Sequence, residues 1–172
     1  MTKYIAFLRA INVGGTKVIK MDALRSIFES FGMSDAQTYI QSGNVIFEAK
    51  TSPTLEAQIE KQLAGALGYN VEVFVRSLNE LADVLKNSPF EPQDAETLHV
   101  SFLRQKPARA LINSLLKHNS AADEFAVRGR EAYNLRRDRD NSVFSNAFIE
   151  KIFGSATTRN ITTLQKIFEK YR

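Results

Sequence analysis

The fold follows from one hairpin, Gln37-Thr38-Tyr39-Ile40-Gln41-Ser42-Gly43-Asn44-Val45-Ile46-Phe47-Glu48. Its two arms, 37–40 and 45–48, contain β-branched and aromatic residues, which favour extended backbone. Gly43 stands between the arms and tolerates the positive φ that a tight turn requires. The hairpin therefore predicts two neighbouring antiparallel strands, and the segments before and after it decide which sheet these strands join.

The flanking segments extend this hairpin into a βαββαβ unit. Before it, the apolar run 4–8 predicts a buried strand, and apolar residues at helical spacing over 24–31 predict a helix. After it, Ser52 is expected to be the N-cap of a second helix, and 71–75 predicts a fourth strand. This order of elements is that of the ferredoxin-like fold.

The same order of elements begins again in the second half. A capping box, Ser77 with Glu80, starts a third helix, and this helix ends before a proline-flanked linker. Beyond the linker come a strand over 98–103, a helix, a hairpin that turns at Gly129 and two final helices. We therefore predict an α+β fold of two ferredoxin-like halves with antiparallel sheets, in which the second half is degenerate and ends in helices. The predicted domains are an N-terminal subdomain at 1–88, the linker at 89–97 and a C-terminal subdomain at 98–172.

Composition restricts the classes of site and the compartment. The 172 residues include no Cys, which excludes disulfides, thiol nucleophiles, iron–sulfur clusters and Cys-ligated zinc. No window approaches the ~18 apolar residues of a membrane span, and the N-terminus enters a strand pattern instead of a signal peptide. We therefore expect a cytoplasmic protein. Residues 1–96 carry a net charge of −3 and residues 97–172 one of +7, so the second half attracts anions, although the same charge also serves solubility.

The predicted topology brings two polar loops to one end of the first sheet. With strand order 4-1-3-2 the first two strands are parallel, so the first strand ends where the hairpin turns. A glycine-rich loop that runs into a helix N-terminus exposes N–H groups and is suited to an anion. Chain reversal alone also explains the glycines, whereas a turn does not need Asn12, Gln41 and Asn44 together. The candidate ligand-binding residues are Arg9, Asn12, Gly14, Gly15 and Lys17 in the first loop, and Gln41, Ser42 and Asn44 in the turn.

Two further candidates lie in the second half. The basic hairpin can bind the phosphates of nucleic acid, but its acidic neighbours make a solvated face with internal ion pairs the favoured interpretation. The other candidate is 157–163, predicted to join the last two helices, where Arg159 and Asn160 either bind a ligand or Asn160 serves as an N-cap. The arginines of the basic hairpin are Arg128, Arg130, Arg136, Arg137 and Arg139.

RNA recognition of the RRM type and catalysis both lack support. The third strand lacks the basic-glycine-aromatic signature, and strands one and three are apolar on both faces. His99 lies within a strand pattern and His118 at a helix end, and neither has acidic neighbours at the spacing of a metal site. Both histidines are therefore predicted to be structural. There is no GxSxG elbow and no phosphate-binding glycine motif, and we predict neither a cofactor nor a metal.

Four runs of the chain resemble the bacterial domain-of-unknown-function family numbered sixteen ninety-seven. They are Phe7-Leu8-Arg9-Ala10-Ile11-Asn12-Val13-Gly14-Gly15, Thr38-Tyr39-Ile40-Gln41-Ser42-Gly43-Asn44-Val45-Ile46-Phe47, Phe74-Val75-Arg76-Ser77 and Thr158-Arg159-Asn160. The resemblance implies a paired ferredoxin-like α+β architecture. The chain departs from the family pattern at Ala10, where glycine is typical, at Ile161, where tryptophan is common, and at 136–140, where a proline–glycine turn is usual. No activity is established for this family, so the resemblance assigns no functional residue.

The leading hypothesis is a binding or regulatory module for a small anionic ligand or nucleic acid. It rests on polar loops at one end of the first sheet and on the basic second half. An enzyme of unknown reaction and a protein-interaction module are the alternatives. We expect a monomer or homodimer without a membrane partner.

Overall fold

Strands and helices alternate along the chain in a computed structural model that describes residues 1–12, 15, 17–40 and 43–172. The chain divides into two compact units, Met1–Leu81 with Tyr171–Arg172, and Ala82–Lys170. The strands are β1 (Thr2–Leu8), β2 (Ser34–Thr38), β3 (Asn44–Ala49), β4 (Val73–Ser77), β5 (Thr97–Leu103), β6 (Asp123–Arg128), β7 (Glu131–Arg136) and β8 (Ala156–Asn160). The helices are α1 (Met21–Ser30), α2 (Leu55–Leu67), α3 (Leu78–Lys86), α4 (Arg109–Leu116), α5 (Asn146–Phe153) and α6 (Ile161–Tyr171).

The first sheet has the strand order β2-β3-β1-β4, and all neighbouring strands are antiparallel. This is the ferredoxin-like order that the sequence predicts. The helices α1 and α2 pack their apolar faces on one side of it, with Leu24, Phe28, Ile59 and Leu63 buried against Phe47. Burial of a side chain of this size contributes ~1.5–3 kcal/mol to the free energy of folding. The apolar residues at helical spacing in the sequence are the ones that form this core.

The central strand β1 is buried on both faces. Ala6 and Leu8 belong to the core that α1 and α2 cover. Ile5 and Phe7, which point to the opposite face, have no exposed surface. RRM-type recognition needs aromatic side chains on an open sheet face, and Phe7 is not available for that role.

The second sheet repeats this arrangement with the strand order β6-β7-β5-β8. The α+β fold of two ferredoxin-like halves with antiparallel sheets is therefore confirmed. One element differs from the sequence prediction, because 157–163 does not simply join two helices: Ala156–Asn160 form β8, which pairs with β5. The segment Thr157-Thr158-Arg159-Asn160 has no apolar alternation to reveal a strand, although Thr157 and Arg159 are buried in it.

The two halves share residues at equivalent places in their sheets. The strand β1 ends with Phe7-Leu8, which Arg9 follows, and the strand β5 ends with Phe102-Leu103, which Arg104 follows. The Leu8 N–H donates to the Gly43 carbonyl at 2.8 Å, and the Leu103 N–H donates to the Arg130 carbonyl at 2.9 Å. Arg76 in β4 and Arg159 in β8 are both buried and both stand two residues before a helix. These equivalent residues show the duplication directly, whereas the sequence alone shows it only as a repeated order of elements.

Two predicted helix starts have different outcomes. The capping box is confirmed, since the Glu80 N–H donates to Ser77 Oγ at 3.1 Å and the Ser77 N–H donates to Glu80 Oε2 at 2.7 Å. The prediction of Ser52 as N-cap is wrong, because α2 starts at Leu55 with Thr54 as N-cap. Ser52 Oγ instead accepts a hydrogen bond from the Thr54 N–H at 3.3 Å, within the preceding turn. None of the helices in the described part of the chain has the length and apolar character to cross a membrane.

Candidate functional site

The two polar loops of the first half share one end of the first sheet. Phe7 near the end of β1 lies opposite Asn44 at the start of β3, and the Leu8 N–H binds the Gly43 carbonyl. Gly43 has φ 82°, and a Cβ there would lie 2.9 Å from the Ile11 side chain, so only glycine fits this approach. Of the predicted residues in these loops, Gly14, Gln41 and Ser42 lie outside the described residues.

The two described asparagines of these loops stabilise the loops themselves. Asn12 has φ 55°, and its Oδ1 accepts a hydrogen bond from the Ile19 N–H at 2.8 Å. Asn44 is fully buried, and its Nδ2 donates to the Tyr39 carbonyl at 2.9 Å. The strand β2 ends at Thr38, earlier than predicted, and Ile40 lies exposed at φ 52°. The side chains of Asn12 and Asn44 thus stabilise the loops, and their role in ligand binding stays a prediction.

The cations of these loops contact neighbouring side chains. Arg9 Nη1 lies 3.4 Å from Glu72 Oε1, and both side chains are partly exposed. Lys17 Nζ lies 5.5 Å from the centre of the Tyr69 ring, within cation–π range. Gly15, between them, is exposed with φ 75°. The structure therefore brings Arg9, Gly15 and Lys17 into one loop, whereas their predicted ligand role is untested.

Arg159 and Asn160 lie in β8 of the second unit. The buried Arg159 donates from Nη1 to Thr157 Oγ1 at 2.8 Å and to the Thr158 carbonyl at 2.9 Å, and burial lowers its pKa to about 10. Asn160 Oδ1 accepts a hydrogen bond from the Thr162 N–H at 2.9 Å, which is the contact of an N-cap. These contacts match the capping alternative for Asn160.

The arginines of the basic hairpin divide into two groups. Arg137 forms ion pairs with Glu96 at 3.3 Å and with Glu124 at 2.7 Å, and the Glu124 hydrogen bond raises the pKa of its guanidinium. Arg128 donates from Nη1 to the Val127 carbonyl, and the Arg130 carbonyl receives the Leu103 N–H. Arg136 and Arg139, by contrast, line a cavity. The hairpin is therefore not one continuous basic stripe.

This cavity has a volume of about 350 Å³ and lies at one end of the second sheet. Its lining comprises two arginines, one histidine, one threonine and one alanine: Arg136, Arg139, His99, Thr97 and Ala95. Thr97 lies opposite Arg136 across the β5–β7 ladder, and the next pair on that face is His99 with Asn134. These four side chains form a two-by-two block, which we call the polar block.

Each member of the polar block has a buried polar atom that lacks a hydrogen-bond partner among the described residues. The atoms are Thr97 Oγ1, His99 Nδ1, Asn134 Oδ1 and Arg136 Nε. A buried polar atom without a partner costs ~1–3 kcal/mol, so such atoms are rare in folded proteins. Four of them lie on one face of two adjacent strands, beside the cavity, and each is enclosed with almost no accessible surface.

The aromatic ring of Phe144 packs against the polar block. The centre of the His99 ring lies 5.1 Å from that of Phe144, and the Arg136 guanidinium lies 5.5 Å from it. Burial, and second to it the positive charge of Arg136, lower the pKa of His99 to about 4. The imidazole is therefore neutral at neutral pH, and the positive charge of the cavity comes from Arg136 and Arg139.

A buried carboxylate fixes the surroundings of the polar block. Asp123 is fully buried and accepts hydrogen bonds from Asn134 Nδ2 at 3.0 Å, Ser142 Oγ at 2.7 Å and the Val143 N–H at 2.8 Å. These bonds attach the loop that follows β7, which carries Phe144, to the sheet. The cavity wall is thus preorganised by contacts beneath it.

The sequence pattern identifies only some of the residues of this site. The basic hairpin includes Arg136 and Arg139, but its pattern does not separate them from the ion-paired Arg137. His99 is predicted to be structural, yet it lines the cavity. Thr97 and His99 alternate along β5 and so share a face, which is a readable signal, whereas their pairing with Arg136 and Asn134 needs the strand register. In the described part of the chain, no group of three or more acidic or histidine side chains could hold a metal ion.

Comparisons with known proteins bear on family and fold. A family described as "Protein of unknown function (DUF1697)" matches residues 1–133. The solved structure of the conserved bacterial protein SP0830 from Streptococcus pneumoniae is similar to this chain with a TM-score of 0.77 and 21% sequence identity, and the match covers 99% of each chain. This likeness shows the fold. No curated protein matches the chain in sequence.

Proposed function

The chain belongs to the DUF1697 family, whose function is unknown, and we propose from its own side chains that it is a binding module for a small anionic molecule. The observation that carries the proposal is the cavity beside the polar block. Arg136 and Arg139 supply two guanidiniums there, and the five lining residues include no acidic side chain. Charge-assisted hydrogen bonds from these two guanidiniums hold an anion in the cavity.

The first half supplies an internal comparison. The positions of its sheet that correspond to the polar block are Thr2, Tyr4, Phe47 and Ala49, by the same register relative to the shared Phe-Leu-Arg runs. Phe47 and Ala49 are core residues, and the Tyr4 hydroxyl donates to Thr51 Oγ1 at 3.1 Å. Thr2 matches Thr97, but the ferredoxin-like framework does not require a histidine, an asparagine and an arginine at the other three places. Their presence in the second half favours a function for them.

A small molecule fits these observations better than nucleic acid does. The cavity volume of about 350 Å³ lies at the lower end of the range of ~300–1,000 Å³ that is usual for small-molecule sites. Nucleic acid is held mainly by many cations along an extended surface. Arg137, directly after β7, forms ion pairs with Glu96 and Glu124 instead.

Calorimetric titration at low ionic strength with phosphate, sulfate, succinate and citrate tests the proposal. We expect binding of at least one of these anions to the wild-type protein. Arg139→Ala should weaken that binding about tenfold or more, because a hydrogen bond to a charged group contributes ~1.5–3 kcal/mol. Arg136→Met, which keeps the packing on Phe144, should have a similar effect.

Arg109→Ala is the matched control, because Arg109 is exposed in α4 and the substitution removes the same charge. This variant should bind like the wild type. An equal loss in all three variants would show that net charge alone attracts the anion, and no binding of any of the four anions would contradict the proposal. Binding of random single-stranded RNA that falls steeply with salt and is unchanged by Arg136→Met would favour the nucleic-acid alternative.

A further inference from the structure

We propose that an anion bound in this cavity and a proton bound by His99 stabilise each other, so that anion binding brings one proton from the solvent onto the imidazole. This inference rests on the proposed function and adds a regulation of the same site by pH. It follows from the place of His99 in the cavity wall and from the charges around it.

His99 and the two cavity arginines share one small space. Thr97 and His99 alternate along β5, and Arg136 lies opposite Thr97 on β7, so the side chains of His99 and Arg136 lie on the same face of the sheet. Both line the cavity together with Arg139. A cavity of about 350 Å³ leaves no place for an anion that is far from His99. An anion held by the arginines therefore lies beside the imidazole, whether or not it forms a hydrogen bond with it.

Two features of the protein itself disfavour a proton on His99. The ring is partly buried, with its centre 5.1 Å from that of Phe144, and Arg136 places a positive charge near it. Burial first and this charge second lower the pKa of His99 to about 4. An anion bound by Arg136 offsets the second cause and adds a negative charge beside the ring. An opposite charge within ~4–6 Å shifts a pKa by about 1–3 towards the charged form, which for a histidine is upwards.

The acids of the protein do not take the place of the anion. The buried Asp123 lies opposite Arg136 across the β6–β7 ladder and accepts three hydrogen bonds of its own. Glu150 on α5 accepts a hydrogen bond from Asn146 Nδ2. The pKa of His99 is about 4 with both acids in place, so neither supplies the charge that a proton on the ring requires. The charged side chains on the elements around His99 are Arg136 on β7, Arg137, Asp138, Arg139 and Asp140 in the loop after β7, Asp123 on β6, and Glu150 and Lys151 on α5, whereas its neighbour on β8 is the uncharged Asn160.

Titration of the imidazoles by NMR, with and without saturating sulfate at equal ionic strength, tests the inference on the wild-type protein. The chain has only two histidines, so the two signals are assigned with His99→Gln or, by exclusion, with His118→Gln. We expect sulfate to move the titration midpoint of His99 upwards by about one pH unit or more. The exposed His118 is the internal control and should follow the same curve in both solutions. If sulfate does not bind, phosphate, succinate or citrate takes its place, because a signal read on His99 does not include the protons of the anion.

The same coupling makes the affinity for sulfate depend on pH, and sulfate itself keeps both charges between pH 5 and pH 7. If bound sulfate raises the pKa of His99 from about 4 to about 6, the wild type binds sulfate about tenfold more tightly at pH 5 than at pH 7. His118→Gln should retain this ratio, and His99→Gln should lose most of it. Calorimetric titration of the three proteins at both pH values measures the ratio.

The outcomes separate this inference from the proposed function. A bound anion that leaves the midpoint of His99 unchanged, or lowers it, would overturn the inference and leave the proposed function intact. Equal movement of His99 and His118 would also overturn it, because the anion would then act through the net charge of the protein. If none of the four anions binds, the inference and the proposed function fail together.

Discussion

His99 has a different proton affinity in the folded protein from that in the unfolded chain. Its pKa is lowered from 6.5 to about 4, first by burial and second by the charge of Arg136. Between these two values the unfolded chain binds a proton that the folded protein does not bind. Stability therefore falls as the pH drops from about 6.5 towards 4, and the full contribution of the neutral imidazole is present above pH 6.5.

The comparison of the wild type with His99→Gln measures this effect. From pH 7 to pH 5 the wild type should lose about 1 kcal/mol of unfolding free energy relative to His99→Gln. This loss is smaller than the full pKa shift would give, because partial exposure of His99 screens its charge. Urea denaturation in a buffer without small dianions is the appropriate measurement. The difference should stay constant between pH 7 and pH 8, where the imidazole is neutral in both states. A constant difference down to pH 5 would contradict the burial of a neutral His99.

For single residues, the sequence shows which side chains can bind an anion, but it does not show which side chains lie next to each other in the fold. Arg136 and Arg139 are readable as candidate anion ligands, because guanidinium groups in a charged hairpin are conspicuous. The role of His99 is not readable, since it depends on Asn134 and Arg136, more than 30 positions later in the chain. Strand register, which the sequence leaves open, makes these residues neighbours.

Among the elements, the hairpin turn between β2 and β3 depends on the side chain of Asn44. The buried amide donates to the Tyr39 carbonyl, and the Tyr39 N–H donates to the Asn44 carbonyl, each at 2.9 Å. Asn44→Ala should therefore lower the unfolding free energy by ~1–3 kcal/mol, the cost of a lost bond in a buried turn. Urea denaturation measures this loss.

Asn70→Ala is the matched control, because Asn70 is exposed in the segment before β4. Its effect should stay within ~0.5 kcal/mol, as for ordinary surface substitutions. Equal stability of the Asn44 and Asn70 variants would refute a structural role for Asn44. Because Asn44 supports the turn, its substitution cannot separate ligand binding from folding, and Arg9 and Lys17 are the better positions to test the loops of the first half.

Elements with strong local signals are predictable, and those defined by their partners are not. The capping box of Ser77 and Glu80 is local chemistry, and it forms as predicted. The strand β8 has the polar sequence Ala-Thr-Thr-Arg-Asn, and its place at the edge of the second sheet comes from pairing with β5. Tertiary pairing overrides such weak local preferences.

For the whole molecule, the order of elements predicts two ferredoxin-like halves, and this is the fold that the structure has. The order of elements does not predict that the two halves carry different side chains at equivalent positions of their sheets. In the first half Thr2 matches Thr97, whereas Tyr4, Phe47 and Ala49 stand where the second half has His99, Asn134 and Arg136. The family match ends at residue 133, before Arg136 and Arg139, so membership of the family does not by itself imply the cavity.

The central claim, that the cavity of the second unit binds a small anion, is tested most directly by a crystal structure of the protein grown in the presence of citrate. We expect ordered citrate in the cavity, with its carboxylates bound by Arg136 and Arg139. An empty cavity, or citrate bound only at Arg9 and Lys17 in the first half, would contradict this claim.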